Sequence, residues 1–372
     1  MAMAVGTVSV PFNDLSPTHA PLKAQLLEDI AELIDAGDFV LGPTVARFEE
    51  AFARYCDSAD CVGVASGLDA LRLALLAHGI EPGDEVVVPA QTFVATFESV
   101  TQAGGVPVVV DVGASDYCLD PDAVEAALTR RTRFLMPVHL YGQLADMDRL
   151  LEIAERHGLT IVEDACQAHG AQREGRCPGD FVTAAFSFYP GKNLGGFGDG
   201  GAVTTNDPEV ARRVRALREH GQVAKYRHRY QGYTARLDAI QALVLERKLA
   251  HLDEWNKQRR VAAVYYTDAL EGVGDLVLPP VPAGSQPVWH LYVIRTAAPA
   301  ELARFLAARG IATGRHYPEP PHLADAYRHL GHASASFAVA EAISRECLSL
   351  PMFAGITSEQ LERVVDAIVS YF

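Results

Sequence analysis

Cysteine is scarce: the six in 372 residues, at positions 56, 61, 118, 166, 177 and 347, include no C-x-x-C pair or other metal-ligand spacing. That pattern argues against a disulfide framework and against a zinc site, and leaves the cysteines as reduced packing residues, with no metal expected. Long apolar runs are missing too, since none approaches the ~18 residues of a membrane-spanning helix. The opening MAMAVGTVSVPFND lacks the basic segment and apolar stretch of a secretory leader. The expectation is a soluble, cytoplasmic protein with no membrane partner. Positive charge is in deficit: 32 Lys and Arg against 47 Asp and Glu give a formal charge of -15. A general nucleic-acid surface is therefore not expected, because phosphate neutralisation needs a net basic face. No internal repeat, low-complexity segment or long flexible linker interrupts the chain.

What is present is enough apolar sequence, 49% of residues, to bury a large core and form one large domain plus a smaller one. Helical spacing covers Leu22 to Ile34, stopping at Gly37, and Pro43 to Tyr55, with proline in the first turn; these two read as an N-terminal arm. Strands and helices then alternate. Strands are expected at 61–65, 85–88, 106–110, 134–138 and 160–163, with helices at 68–77, 92–102, 121–128 and 147–157 between them. Alternation of this kind implies βαβ units around a mostly parallel sheet, whose ligands sit beyond the C-terminal strand ends. A helix over 208–220 and one long helix or two over 237–270 lead to a second domain. That domain is expected to hold strands at 289–295 and 347–350 and helices at 299–309 and 358–371.

The chain is organised around FVTAAFSFYPGKNLGGFGDGGA, residues 181–202. Ala184 to Tyr189 reads as a short buried strand, and Pro190-Gly191 breaks it just before Lys192. An amine in an apolar, glycine-lined site has its charged form disfavoured by desolvation, which is the chemistry of a Schiff-base lysine. Polar residues cluster at other strand ends. Ser66-Gly67 opens a helix whose N–H groups suit a phosphate, although such a turn is more often only a cap. Phe93 could lie on a ring face, although a core position is the commoner fate of such a residue. Asp164 and Gln167 follow the strand at 160–163 three residues apart, and His139 and Tyr141 follow the one at 134–138. Between Arg212 and Arg236 lie eight basic residues (212, 213, 215, 218, 225, 227, 229, 236) against one acid, Glu219. The first three read equally well as a solvated helix face, whereas Lys225, Arg227 and Arg229 lie in a loop-like stretch suited to a phosphate-bearing ligand.

A lysine after a strand, an aspartate at a neighbouring strand end, a serine five residues before the lysine and a Ser-Gly turn at a helix start are together the groups that pyridoxal phosphate needs. With EDACQAHGA and SFYPGKNLG as its most specific stretches, and with GPTVARFEEAFARYC, PGDEVVVPAQTFVAT, PVHLYGQLADMD, RLDAIQALVL, LDEWNKQRR, HLYVIR and HYPEPPH along the rest, the sequence resembles the DegT/DnrJ/EryC1/StrS sugar aminotransferase family. The resemblance implies an α/β fold of the aspartate-aminotransferase type (fold type I). In it a large, mostly parallel or mixed seven-stranded sheet domain spans residues 1–250, and a smaller α+β domain spans residues 251–372.

It further implies that Lys192 is the Schiff-base lysine, Asp164 the partner of the pyridine nitrogen, and Gln167 a contact on the ring-hydroxyl side. Ser187 and the Ser66-Gly67-Leu68 turn become phosphate ligands, and Phe93 the stacking ring. The basic loop would reach the partner's site in a homodimer. The family's usual Asn-Ser before Arg236 is replaced here by Thr234-Ala235, so Thr234 is the expected substitute phosphate donor; Leu68 offers only its N–H where threonine is common. The implied activity is transfer of an amino group from L-glutamate to a nucleotide-linked keto-sugar, with His316 and Tyr317 beside the sugar and Lys225, Arg227 and Arg229 on the substrate. TGRHYPEPPH and PVHLYG resemble relatives that aminate carbon 3 of a dTDP-linked 6-deoxyhexose in antibiotic deoxyaminosugar pathways. The alternatives are a dTDP-4-keto-6-deoxyhexose 4-aminotransferase, a sugar dehydratase of the same fold, whose members replace the lysine with histidine, and a non-catalytic regulator on that fold.

Overall fold

The computed structural model describes residues 10–372; residues 1–9, which carry most of the opening stretch and the first part of the expected large domain, lie outside the described residues. Seven strands form the main sheet: β1 (Asp60–Val64), β2 (Glu85–Pro89), β3 (Val106–Val110), β4 (Thr132–Leu135), β5 (Thr160–Asp164), β6 (Thr183–Ser187) and β7 (Gly201–Thr205). Their order across the sheet is β1-β7-β6-β5-β4-β2-β3. All neighbours are parallel except β7, which runs antiparallel to both β1 and β6.

Side chains alternate across the strands, so both faces of the sheet must be covered. Ala185 and Val203 face a core shared with Leu71, Phe97, Leu150 and Val214 of the helices Gly67–Ala77, Ala95–Gln102, Met147–His157 and Pro208–Arg218. Ala184, Phe186 and Ala202 face the opposite core, with Phe48 and Phe52 of helix Gly42–Tyr55 and Leu243 of helix Ala239–Leu249. There Phe52 meets Phe186 and Phe188 edge-on at ring separations of 5.0 and 5.2 Å. Such pairs contribute about 0.5–1.5 kcal/mol each beyond area burial, and they hold β6 and the residues after it in place ahead of Lys192.

A third core joins the antiparallel pair β8 (Tyr292–Arg295) and β9 (Cys347–Leu350) to helices Leu252–Leu270, Pro299–Ala307 and Ser358–Val369. Val10 is buried in it and pairs with Ile311, so the N-terminal segment crosses to this part of the molecule. The C-terminal ends of β1, β2, β5 and β6 and the N-terminal end of β7 share one edge of the sheet, because Ser187 and Val64 both pair with Gly201. Among the described residues no helix is long and apolar enough to cross a membrane.

Several elements depart from the sequence expectation: β8 begins at Tyr292 and helix Ala95–Gln102 at Ala95, each three residues late, and helix Ala338–Glu346 stands where none was expected. β7 is not among the expected strands; a Cβ at Gly201 would lie 2.3 Å from the Ser66 carbonyl oxygen, so glycine here admits a close backbone approach within a strand. β4 ends at Leu135 rather than Val138, since Pro137 has no N–H to continue the ladder.

Candidate active site

Beyond that sheet edge lies a cavity of about 630 Å³. Ser66, Gly67, Leu68, Phe93, Asp164, Gln167, Ser187, Lys192, His316 and Tyr317, all singled out from sequence, line it. They arrive from several strand ends and loops.

Lys192 is set by the turn after β6, where its N–H donates to the Tyr189 carbonyl at 2.9 Å. A Cβ at Gly195 would come 2.4 Å from the Pro190 carbonyl oxygen, so this turn closes only with glycine. Lys248, buried and with its pKa pushed down to about 8 by desolvation, donates to the Gly195 carbonyl and lies 3.2 Å from His19 Nε2. Lys192 Nζ itself has no hydrogen-bond or ion-pair partner among the described residues. Burial lowers its pKa, opposed by the nearby Cys166 and Asp164, so the free amine is favoured relative to an exposed lysine. Burial pushes the Cys166 thiol well above its ordinary range, which keeps it protonated beside the amine.

Asp164 ends β5 with its backbone fixed on both sides, donating to the Pro137 carbonyl at 2.8 Å and accepting from the His139 N–H at 3.0 Å. Its Oδ1 accepts from the Cys166 N–H at 3.2 Å and its Oδ2 from the Thr96 hydroxyl at 2.9 Å. Gln167 is clamped at both ends: Oε1 accepts from the Tyr141 N–H at 2.8 Å, and Nε2 donates to the Tyr317 hydroxyl at 3.2 Å. Ser66 caps helix Gly67–Ala77 by accepting from the Asp69 N–H at 3.0 Å, while the Gly67 and Leu68 N–H groups precede any intrahelical acceptor. Phe93 is 51% exposed, which removes it from the core, and its ring lies 5.5 Å from that of Tyr317.

His316 stacks on Phe12 at 5.5 Å and meets Ser349 Oγ through Nδ1 at 2.8 Å. Burial and the Lys192 charge take its pKa down to about 4, and burial takes that of His290 well below the ordinary value. Both imidazoles are therefore neutral at neutral pH and add no positive charge to the cavity.

Four expected site residues stand elsewhere. Lys225, Arg227 and Arg229 are exposed on or beside the short hairpin of Gln222–Ala224 with Arg227–His228, and exposed Thr234 lies 3.4 Å from His220; none lines this chain's own cavity. Conversely, Asn13, Thr92, Glu98, Tyr189, Asp199 and His290 line it without having been assigned from sequence. His139, noted only as a polar strand end, is buried against Glu163 at 2.7 Å and serves the fold. Among the described residues no group of three His, Cys, Asp or Glu side chains is arranged to hold a metal ion.

The chain belongs to the DegT/DnrJ/EryC1/StrS aminotransferase family, whose model matches residues 21–369. It is 49% identical to the dTDP-3-amino-3,4,6-trideoxy-alpha-D-glucose transaminase of Streptomyces venezuelae, over 99% of this chain and 97% of that protein. Its fold matches the crystal structure of S. venezuelae DesV in complex with ketimine intermediate at a TM-score of 0.96, with 49% identity and coverage of 97% and 98% of the two chains. NtdA from Bacillus subtilis with bound cofactor PMP matches at 0.90, with 30% identity and coverage of 98% and 85%. The protein is thus a pyridoxal-phosphate-dependent sugar aminotransferase of fold type I. The cavity suits that cofactor: it offers an amine without a protein partner, a buried carboxylate, and free N–H groups at Gly67. At Gly67 any Cβ would come 2.6 Å from Ser187 Cβ, so only glycine lets the turn approach β6.

Proposed function

We propose that this enzyme transfers the amino group of L-glutamate to a dTDP-linked 3-keto-6-deoxyhexose, in the cytoplasm, as a step of deoxyaminosugar biosynthesis. The observation that carries the reading is the partnerless Lys192 amine in one cavity with Asp164, His316 and Tyr317. The likeness to a 3-amino dTDP-sugar transaminase supports the position aminated.

Pyridoxal phosphate, when bound, supplies an electron-withdrawing ring that stabilises negative charge at the carbon losing its proton. Lys192 Nζ would anchor it and would accept the proton from the donor's α-carbon and return it; the unprotonated amine that burial favours is the form able to do so. Asp164 would keep the ring nitrogen protonated. The Gly67 and Leu68 N–H groups with the Ser66 and Ser187 hydroxyls would hold the phosphate at the helix start, Phe93 would cover the ring, and Gln167 would contact its hydroxyl. His316 and Tyr317 border the sugar, where a donor or acceptor displaced by one ring atom selects another keto carbon, because mismatched polar groups stay unpaired. With a panel of dTDP-linked keto-sugars and glutamate, kcat/KM is expected to be highest for the 3-keto isomer. A higher value for the 4-keto-6-deoxyhexose would reverse the positional assignment and leave the transamination standing.

In this reading residues 1–250 make the large domain and 251–372 the small one, divided at the turn between helices Ala239–Leu249 and Leu252–Leu270. Lys225, Arg227, Arg229 and Thr234 serve the neighbouring subunit's site in a homodimer. Their exposure away from their own cavity supports this, as do the exposed apolar side chains of Leu27, Ile34, Phe39 and Val40 on the N-terminal arm. Sedimentation velocity at assay concentration is expected to give a species of twice the 40.1 kDa chain mass. A fully active monomer would contradict the shared site.

A further inference from the structure

We propose that Thr96 is a positioning residue for the reaction: its hydroxyl, backed by that of Thr92, holds one oxygen of Asp164 and so sets which lone pairs the carboxylate presents to the cofactor's ring nitrogen. This rests on the assignment of Asp164 made above. Thr96 Oγ1 lies 2.9 Å from Asp164 Oδ2 and 2.7 Å from Thr92 Oγ1. Thr96 is fully buried, and it does not line the cavity, whereas Thr92 and Asp164 do. It therefore acts through Asp164 and touches no substrate.

The direction of the bonds follows from proton counting. An ionised carboxylate only accepts, so the single Thr96 proton goes to Asp164; the Thr92 hydroxyl must then be the donor between the two threonines. The other oxygen accepts from the Cys166 N–H at 3.2 Å. Each carboxylate oxygen is thus held by one protein donor. The side chain cannot rotate without breaking both bonds.

The use of this hydroxyl is unusual for its position. Ser99 and Thr101 on the same helix donate to carbonyls three or four residues back, at Thr96 and at Phe97 and Glu98, which is the common local fate of such side chains. Thr96 instead bonds to a residue 68 positions away. Thr92 precedes the helix Ala95–Gln102 that carries Thr96, and the two hydroxyls meet at 2.7 Å, while Phe93, between them in the chain, lines the cavity.

The test compares Thr96→Val, which keeps the shape and removes the hydroxyl, with Thr96→Ser, which keeps the hydroxyl. Each holoenzyme is reconstituted with cofactor carrying nitrogen-15 in the ring, and the ring-nitrogen resonance is recorded beside steady-state kinetics. Thr96→Val is expected to move the resonance toward the unprotonated-ring position. It should lower kcat by roughly tenfold, the scale of one hydrogen bond to a charged acceptor, with KM for glutamate changed less than about twofold. Thr96→Ser should restore both. A wild-type resonance and kcat in Thr96→Val, or equal impairment in Thr96→Ser, would overturn the proposal. If Thr96→Val does not fold, Thr92→Val is read the same way, with a smaller shift in the same direction expected and no shift counting against the chain of bonds. Asp164→Ala separates the two levels: a resonance unmoved in that variant defeats the Asp164 assignment itself.

Discussion

Lys192→Ala protein is expected to fold, to bind pyridoxal phosphate weakly, and to lose multiple turnover by at least about three orders of magnitude, the scale on which a positioned proton-transfer group contributes. The fold survives because the amine has no protein partner among the described residues, so its removal orphans no donor or acceptor. Activity is lost because the amine that moves the proton is gone, while His290 and His316 are held through Nδ1 by Asn193 and Ser349 at 3.3 and 2.8 Å and the Cys166 thiol is kept protonated by burial. Steady-state assay with glutamate and a keto-sugar measures this, and full turnover in the variant would remove Lys192 from the mechanism. Stability supplies an independent readout in cofactor-free protein. Burial lowers the folded-state pKa of Lys192 below its unfolded value, so between those two values the unfolded chain binds the extra proton and wild-type stability rises with pH. The alanine variant lacks that contribution. Its advantage in Tm over wild type should be largest below the depressed pKa and vanish as pH reaches the ordinary lysine range.

Periodicity made most of the frame legible, and the reason is local. Helix Met147–His157 and strands Val106–Val110 and Cys347–Leu350 fall on the expected residues because each carries its own apolar period and its own stop, such as the left-handed Gly158 that ends the helix. β7 was not legible because its first residue is glycine for the sake of the Ser66 carbonyl, a contact made by a segment 135 residues earlier in the chain. The site divides along the same line. Lys192, Asp164, Gln167 and Ser187 sit in stretches whose composition is odd for a core, so sequence alone marks them. Thr96, Asn13 and Lys248 are ordinary residues until the fold brings Asp164, the Lys192 turn and Gly195 to them. Asn13 is a clear instance: its Oδ1 is enclosed without a hydrogen-bond partner on a wall of the cavity, and nothing in PFND announces that.

The second large effect is expected from Asp164→Asn, a change of one atom. Two donors converge on this side chain, the Cys166 N–H and the Thr96 hydroxyl, and an amide has only one oxygen to offer them. The backbone N–H cannot turn away, so the amide oxygen must face Cys166 and the amide nitrogen Thr96, whose hydroxyl rotates to accept and hands its proton to Thr92. All groups stay paired and the protein should fold and take up cofactor, since the proposed phosphate cradle lies elsewhere, at Ser66 to Leu68 and Ser187. What the amide cannot do is hold a proton on the ring nitrogen as a counter-charge, so kcat is expected to fall by about two to four orders of magnitude. Single-turnover bleaching of the cofactor band by glutamate alone isolates this loss from any effect on the sugar half-reaction. The loss must exceed the roughly tenfold expected for Thr96→Val, because that variant leaves the carboxylate's charge in place and removes only one of the bonds that aim it. A variant at 164 that bleaches within about threefold of the wild-type rate would mean that the ring nitrogen needs no anionic partner here, and Asp164 would then be a structural carboxylate at a strand end.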